Sequence, residues 1–190
     1  MFKRGAKLNF LDEITKNRFL LILLPEDGYS IHLKNIVKDV EQKHKKVCYV
    51  CLSRPYADVK EDISKQKINA NKFFFIDVLS SHYGSPAKAE DCIFVKEPIK
   101  IIDIKVAMTR AIKDMGCSAV LLDSISGLLL FEQSHSILKF THELKTEKDN
   151  EKVNKLFLVL KEGGILGEDS KNLVRDLEMF ADKTIDINHI

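Results

Sequence analysis

The chain has 190 residues, is 45% hydrophobic and 31% charged, and carries a net charge of +2. This composition is typical of a globular domain with a large core, and so small a net charge does not favour nucleic acid or a membrane surface as a partner. No apolar run approaches the ~18 residues that a membrane-spanning helix needs, and residues 1–9 lack the apolar centre of a secretion signal. We therefore expect a cytoplasmic protein.

Short apolar runs alternate with amphipathic segments along the chain. In chain order, the sequence predicts strands at 18–24, 47–52, 72–78, 92–95, 118–123, 156–160 and 184–187. Between them, apolar residues recur at three- and four-residue spacing, which predicts helices at about 30–40, 55–67, 101–115, 133–145 and 173–180. Nearly continuous apolar strands between such helices are typical of a parallel sheet covered on both faces. The prediction is an α/β fold, a mainly parallel three-layer αβα sandwich, formed by one domain over residues 1–190.

The four cysteines do not predict a redox or metal site. Cys48 and Cys51 have the C-x-x-C spacing of redox pairs and zinc sites, but they lie in a predicted strand, where residues three apart point to opposite faces. Cys92 and Cys117 stand alone in other apolar segments. We interpret all four as small buried hydrophobic residues.

The segment 20–33 has the pattern of a buried strand, a short turn and the start of a helix, where a nucleotide-binding α/β protein has its phosphate loop. The working loop (Walker A), G-x-x-x-x-G-K-[ST], uses glycines for close backbone approach, a lysine for phosphate charge and a hydroxyl for magnesium. Here only Gly28 and Ser30 match that motif, while Glu26 and Asp27 place negative charge beside it. Ser30 is also the predicted N-cap of the helix.

Ligands of such folds bind at the carboxyl ends of the strands. The candidate residues at that edge are Glu26, Asp27, Gly28, Ser53, Arg54, Asp77, Asp123, Ser124, Lys161 and Glu162. Three of them have a structural alternative. We interpret Asp77 as a strand-end cap and Arg54 as an exposed charge at a turn, and Asp123 equally as a cap or as the remnant of a magnesium site.

Two segments resemble one family of ATPases. Residues 5–14 run from a glycine to Leu-Asp-Glu-Ile, and residues 119–129, AVLLDSISGLL, form an apolar strand that ends in Asp123 and Ser124. They resemble the lead into the first strand and the Walker B strand of the KaiC-like branch of the RecA superfamily, and the strand order between them is similar over roughly the whole chain. The resemblance implies a RecA-like core, a site for ATP and magnesium, and assembly into rings or filaments.

The chain departs from that family at the residues that handle phosphate. In an ungapped alignment with Walker A, Ser30 stands at the lysine and Ile31 at its hydroxyl partner, and Lys34 lies one helical turn further on. KaiC-like enzymes end their second strand with a pair of glutamates, where this chain has Ser53 and Arg54. The resemblance therefore implies a degenerate Walker A and missing catalytic glutamates.

These losses argue against ATP hydrolysis and tight ATP binding, because phosphoryl transfer depends on positioning and charge stabilisation. Glu26 and Asp27 are expected to add repulsion in a partly dry pocket. We predict no catalytic residue, no cofactor and no metal, with Asp123 facing magnesium only if a magnesium nucleotide binds. Lys34 and Arg54 remain candidate anion contacts near the helix N-terminus.

Three functions stay open. The first, which the joint losses favour, is a non-catalytic module that regulates or scaffolds through protein contacts, with itself or with an active RecA-like relative. The second is an ATP-binding ATPase or nucleotide switch that uses a rewired site of Lys34, Arg54 and Asp123. The third is a DNA-associated accessory protein, against which the near-neutral charge counts.

Overall fold

The computed structural model describes residues 10–84, 86–161 and 167–187. Its helices are α1 (Phe10–Lys16), α2 (Tyr29–Lys43), α3 (Tyr56–Lys65), α4 (Ile101–Lys113), α5 (Ser134–Thr146) and α6 (Gly167–Glu178). Its strands are β1 (Phe19–Leu24), β2 (Val47–Cys51), β3 (Phe73–Asp77), β4 (Cys92–Phe94), β5 (Ala119–Asp123), β6 (Asn154–Leu160) and β7 (Lys183–Asp186). A 3-10 helix, Ile125–Leu130, follows β5.

The strands form one seven-stranded sheet in the order β4-β3-β2-β5-β6-β1-β7. Every strand pair is parallel, as the continuous apolar runs predict. Since both faces of a parallel sheet must be covered, β2 and β5 at its centre have only buried residues. The predicted strands are confirmed, with ends that differ by one or two residues.

Two apolar clusters cover the two faces of the sheet. One contains Ile104, Ile137 and Leu173 and so packs α4, α5 and α6 against the sheet. The other contains Ile14, Leu33, Ile36, Val59 and Ile63 and packs α1, α2 and α3 against the opposite face. The three-layer αβα sandwich is therefore confirmed.

The C-x-x-C pair behaves as the strand period predicts. Cys48 lies in the cluster beneath α4 and Cys51 in the cluster beneath α2. All four cysteines are buried and free, so the interpretation as buried hydrophobic residues is confirmed.

Helix α1 was not predicted, because residues 11–14 resembled only a lead into the first strand. Ile14 is fully buried, and the Asn154 side-chain amide donates to the carbonyl oxygens of Ile14 and Asn17, each at 2.8 Å. Tertiary packing thus stabilises a helix of seven residues, which alone would be too short to persist in water. Gly5 of the leading motif lies outside the described residues.

In the described part of the chain, no helix combines the length and the apolar character needed to cross a bilayer.

Candidate functional site

The carboxyl end of β5 is the centre of the candidate site. Parallel pairing places this end beside the end of β2, where Cys51 pairs with Asp123. The loop after β2 is tied to it, because the backbone N–H groups of Leu52 and Ser53 donate to the Asp123 carbonyl oxygen at 2.9 and 3.1 Å. Gly127 approaches the same loop so closely that an added Cβ would lie 2.7 Å from the Leu52 carbonyl oxygen.

Two tyrosines hold the carboxylate of Asp123. The hydroxyl of Tyr29, the first residue of α2, donates to Oδ1, and the hydroxyl of Tyr49, in β2, donates to Oδ2. The Ser53 hydroxyl is a third donor, 3.4 Å from Oδ1. Asp123 and Tyr49 are each only 1% exposed. A buried carboxylate must be hydrogen-bonded, and here phenols from two other elements supply the donors.

Both phenols stay protonated over the ordinary pH range. Burial raises the pKa of Tyr29, and the neighbouring charge of Asp123 raises it further. Burial likewise raises the pKa of Tyr49, with Asp123 again the next cause. Each hydroxyl therefore acts as a donor, which is the form that a carboxylate acceptor needs.

This arrangement bears on the interpretation of Asp123 as a cap of the turn after its strand. Within the described residues, the carboxylate's hydrogen bonds go to side chains of α2, β2 and the loop after β2, so it does not cap the turn after its own strand. Nor is the carboxylate open toward solvent, where a hydrated metal ion would approach.

The start of α2 differs from the prediction at Ser30. The helix begins at Tyr29, its N-cap is Gly28 with φ +75°, and no side chain caps it. The Tyr29 N–H donates to the Glu26 carbonyl oxygen at 3.2 Å, and the Gly28 carbonyl oxygen accepts from Ile31. The prediction of Ser30 as N-cap is wrong, because the left-handed Gly28 closes the turn two residues earlier.

The other residues of the predicted phosphate-loop segment lie in solvent. Glu26, Asp27, Gly28, Ser30 and Ile31 are all exposed, and Ile31 is 66% exposed. Among the described residues, the two acids therefore face solvent and not the partly dry pocket that we expected. Water and salt screen charges in such positions, so Glu26 and Asp27 repel an anion less than the sequence analysis assumed.

Lys34 and Arg54 lie together, but not as a pair of open anion contacts. Both line a crevice of about 20 Å³ between α2 and α3, next to Tyr49. Arg54 is half-buried and its Nη1 lies 2.5 Å from Asp62 Oδ2 on α3. The interpretation of Arg54 as an exposed charge at a turn is wrong, because α3 pairs the guanidinium. Its positive charge also attracts Asp123, which adds to the stability of the buried carboxylate.

Asp77, at the end of β3, is the strand-end cap that the sequence predicted. It is fully buried, and its carboxylate accepts from the backbone N–H groups of Tyr56, Leu79 and Ser80 at 2.7, 2.8 and 2.9 Å. At the end of β6, Lys161 pairs with Asp186 at 2.6 Å, and Glu162 lies outside the described residues. Ser124 is buried, and its hydroxyl lies 2.8 Å from that of Ser126.

Sequence reasoning missed Tyr29 and Tyr49 as members of the site. One signal was available for Tyr29. The alignment that sets Ser30 at the Walker A lysine sets Tyr29 at the glycine before it, a position where the motif needs close backbone approach to phosphate. Nothing in the sequence distinguished Tyr49 from other apolar residues of a buried strand.

The described residues offer no alternative metal centre, since no three His, Cys, Asp or Glu side chains among them group closely enough to hold an ion. Among the described residues, the side-chain hydrogen bonds of Asp123 are internal to the site. Its acceptor groups face inward, and the side chains facing solvent are those of the turn before α2.

Comparisons with known proteins show the fold. No protein-family model and no curated protein matches the chain. An uncharacterised protein of Pyrococcus horikoshii, solved in complex with an unknown peptide, superposes with a TM-score of 0.67 at 14% identity, over 90% of this chain and 78% of that one. A KaiC-like protein of Pyrococcus horikoshii superposes with a TM-score of 0.59 at 15% identity, over 89% of this chain and 71% of that one. The fold is therefore RecA/KaiC-like.

Proposed function

We propose that this chain is a non-catalytic RecA/KaiC-like domain, a pseudo-ATPase that regulates or scaffolds through protein contacts. The observation that carries the proposal is the closure of Asp123 by Tyr29. In the ATPases that the sequence resembles, this aspartate supports magnesium through water. Here a phenol from the start of α2 holds it instead.

Nucleotide binding would have to undo this arrangement. Tyr29 would leave the carboxylate, which would then lose a charge-assisted hydrogen bond in a buried position. In return, the turn before α2 offers no lysine at the Walker A position. The helix N-terminus alone is equivalent to about half a positive charge, which compensates only a small part of the negative charge on the phosphates of a nucleotide.

Protein contact is the part of the proposal that the surface supports. Helix α4 exposes two large apolar side chains one turn apart, Ile102 at 55% and Val106 at 61%. Contiguous exposed apolar surface is where soluble proteins bind partners. The Pyrococcus horikoshii protein solved with an unknown peptide also supports a peptide or protein as the ligand. We propose that this chain forms one RecA-like unit. Its partner is a protein, either another copy of this chain or an active RecA-like relative.

Calorimetric titration with MgATP and MgADP tests the proposal, together with thermal unfolding in about 1 mM nucleotide. A ligand at 100 times its dissociation constant stabilises a protein by about 2.7 kcal/mol, which for this size raises Tm by roughly 5–10 °C. We expect no binding heat and no such rise. Magnesium chloride alone is the control for ionic effects.

A nucleotide switch is the competing function, and the same experiment distinguishes it. Saturable binding heat with a matching rise in Tm would refute the proposal and show that Tyr29 moves aside. Phosphate release from MgATP by the unaltered protein would refute it more strongly, because hydrolysis also needs an oriented water.

A further inference from the structure

We propose that the open edge of β4 and the groove between β4 and α4 bind an extended, acidic segment of a partner protein, which adds a strand to the sheet. The inference rests on the proposed function, since it names the site and the kind of partner for the protein contact. Three features carry it: free backbone groups, an apolar floor and an excess of unpaired positive charge.

On the side away from β3, the backbone N–H and C=O groups of β4 have no strand to pair with in the described residues. β4 is the first strand of the sheet order and pairs only with β3 among the described residues. The Asp91 carbonyl oxygen accepts from Phe75 and the Val95 N–H donates to Asp77, so these alternate residues face β3. The backbone groups of Cys92 and Phe94 therefore face away from the sheet. Such an edge is a template for an added strand.

The groove beside this edge has an apolar floor. It encloses about 480 Å³ and is lined by Ile93 of β4, by Val95 just after that strand, and by Val106 and Ala107 from α4. Val106 is 61% exposed and has no covering group in the described residues. Because strand side chains alternate between faces, an added strand would place every second side chain over this floor.

The rim of the groove carries more positive than negative charge that is free to pair. Lys96 and Lys100 are exposed and have no ion pair or hydrogen bond from their side chains within the described residues. Arg110 has only a loose contact, 3.7 Å, with Asp114. Of the two acids that line the groove, Glu97 already faces His82 at 3.1 Å, and Asp103 is left. An acidic segment complements this rim, and a basic one does not.

The charges also explain how the edge stays selective. Lysines and prolines at a sheet edge discourage pairing with unrelated strands, and Lys96 and Pro98 stand just after β4. A neutral or basic strand would leave the lysines unpaired and partly desolvated. A strand with alternating apolar and acidic residues would pair them instead, so the same lysines would admit one class of partner.

A selection between two displayed peptide pools tests the inference. Both pools hold octapeptides with random large apolar residues at alternate positions; the other positions are Glu or Asp in one pool and Lys or Arg in the other. We expect the unaltered protein, without nucleotide, to enrich binders from the acidic pool alone. Fluorescence polarisation then measures one enriched peptide against purified variants.

The variants separate the groove from general surface charge. Lys96→Glu with Lys100→Glu should weaken binding about tenfold at low salt, and Val106→Asp should weaken it as much or more. Lys152→Glu with Lys171→Glu, a matched change at two exposed lysines elsewhere, should change it less than twofold. Proline at the peptide's centre should abolish binding, because it removes a donor from the ladder, and hydrogen exchange at the Phe94 amide should slow in the complex.

Other outcomes would overturn the inference. These are no enrichment from either pool, equal enrichment from the basic pool, or binding that ignores the groove variants. Concentration-dependent self-association that Val106→Asp abolishes, without acidic binders, would show that a second copy covers the groove. The result is independent of the nucleotide titration: MgATP binding would refute the proposed function and leave a positive groove result standing, while a failed selection would refute the groove alone.

Discussion

Replacing Tyr49 by phenylalanine tests whether the buried carboxylate of Asp123 depends on its phenol donors. The substitution removes one hydroxyl and keeps the ring, whose packing against Phe73 and Phe75 at centroid distances of 6.5 and 6.0 Å should survive. Any loss of stability therefore comes from the hydrogen bond and not from a cavity.

The magnitude follows from the burial of both partners, each 1% exposed. A hydrogen bond to a charged group contributes about 1.5–3 kcal/mol, and water cannot replace the missing donor. We expect a loss of about 2 kcal/mol in the free energy of unfolding, which lowers Tm by roughly 4–8 °C for a chain of this size. Tyr29 and Ser53 still donate to the carboxylate in the variant, so the protein should remain folded.

Thermal and denaturant unfolding, followed by circular dichroism, measure this loss. Tyr83→Phe is the matched control, because Tyr83 is 81% exposed, and its effect should stay within about 0.5 kcal/mol. A double-mutant cycle with Asp123→Asn should give a coupling of about 1 kcal/mol or more between Tyr49 and Asp123. Equal effects of the two tyrosine variants, or a coupling near zero, would refute the reasoning.

Three further expectations concern the loop before α2, acid stability and the turn after β5. Replacing Ser30 by Lys and Ile31 by Thr should give no phosphate release from MgATP, because Tyr29 still holds Asp123. Measurable turnover would contradict this. Burial lowers the pKa of His44 from 6.5 to about 4. The free energy of unfolding should therefore fall by about 2–3 kcal/mol as pH falls from about 6.5 toward 4. The denaturant midpoint should depend less on pH in His44→Gln, and parallel curves for the two proteins would exclude His44 as the cause. Gly127→Ala should lower the free energy of unfolding by about 1–3 kcal/mol, because the added Cβ would lie 2.7 Å from the Leu52 carbonyl oxygen. An unchanged urea midpoint would show instead that the turn shifts to accept the methyl group.

The site shows where local pattern stops being informative. The turn at 25–28 and the helix after it follow from the apolar run of β1 and from Gly28, and both could be placed from the sequence. The N-cap was misplaced by two residues, since a left-handed glycine and a capping serine predict similar starts. Arg54 was misread for another reason: its partner Asp62 is eight residues away on α3, and only the path of the chain brings them together.

The sequence by itself determined the layers and the parallel sheet, because strand and helix periodicities are local and a two-sided apolar strand can be stable only inside such a sandwich. It also showed which residues stand where a phosphate-binding motif would need a lysine and a hydroxyl, since that needs only the identity of each residue. Only the tertiary structure decided what became of Asp123. Tyr29 and Tyr49 lie 94 and 74 residues from it in the chain, and their convergence depends on how α2 and β2 pack against the end of β5, which no local pattern records.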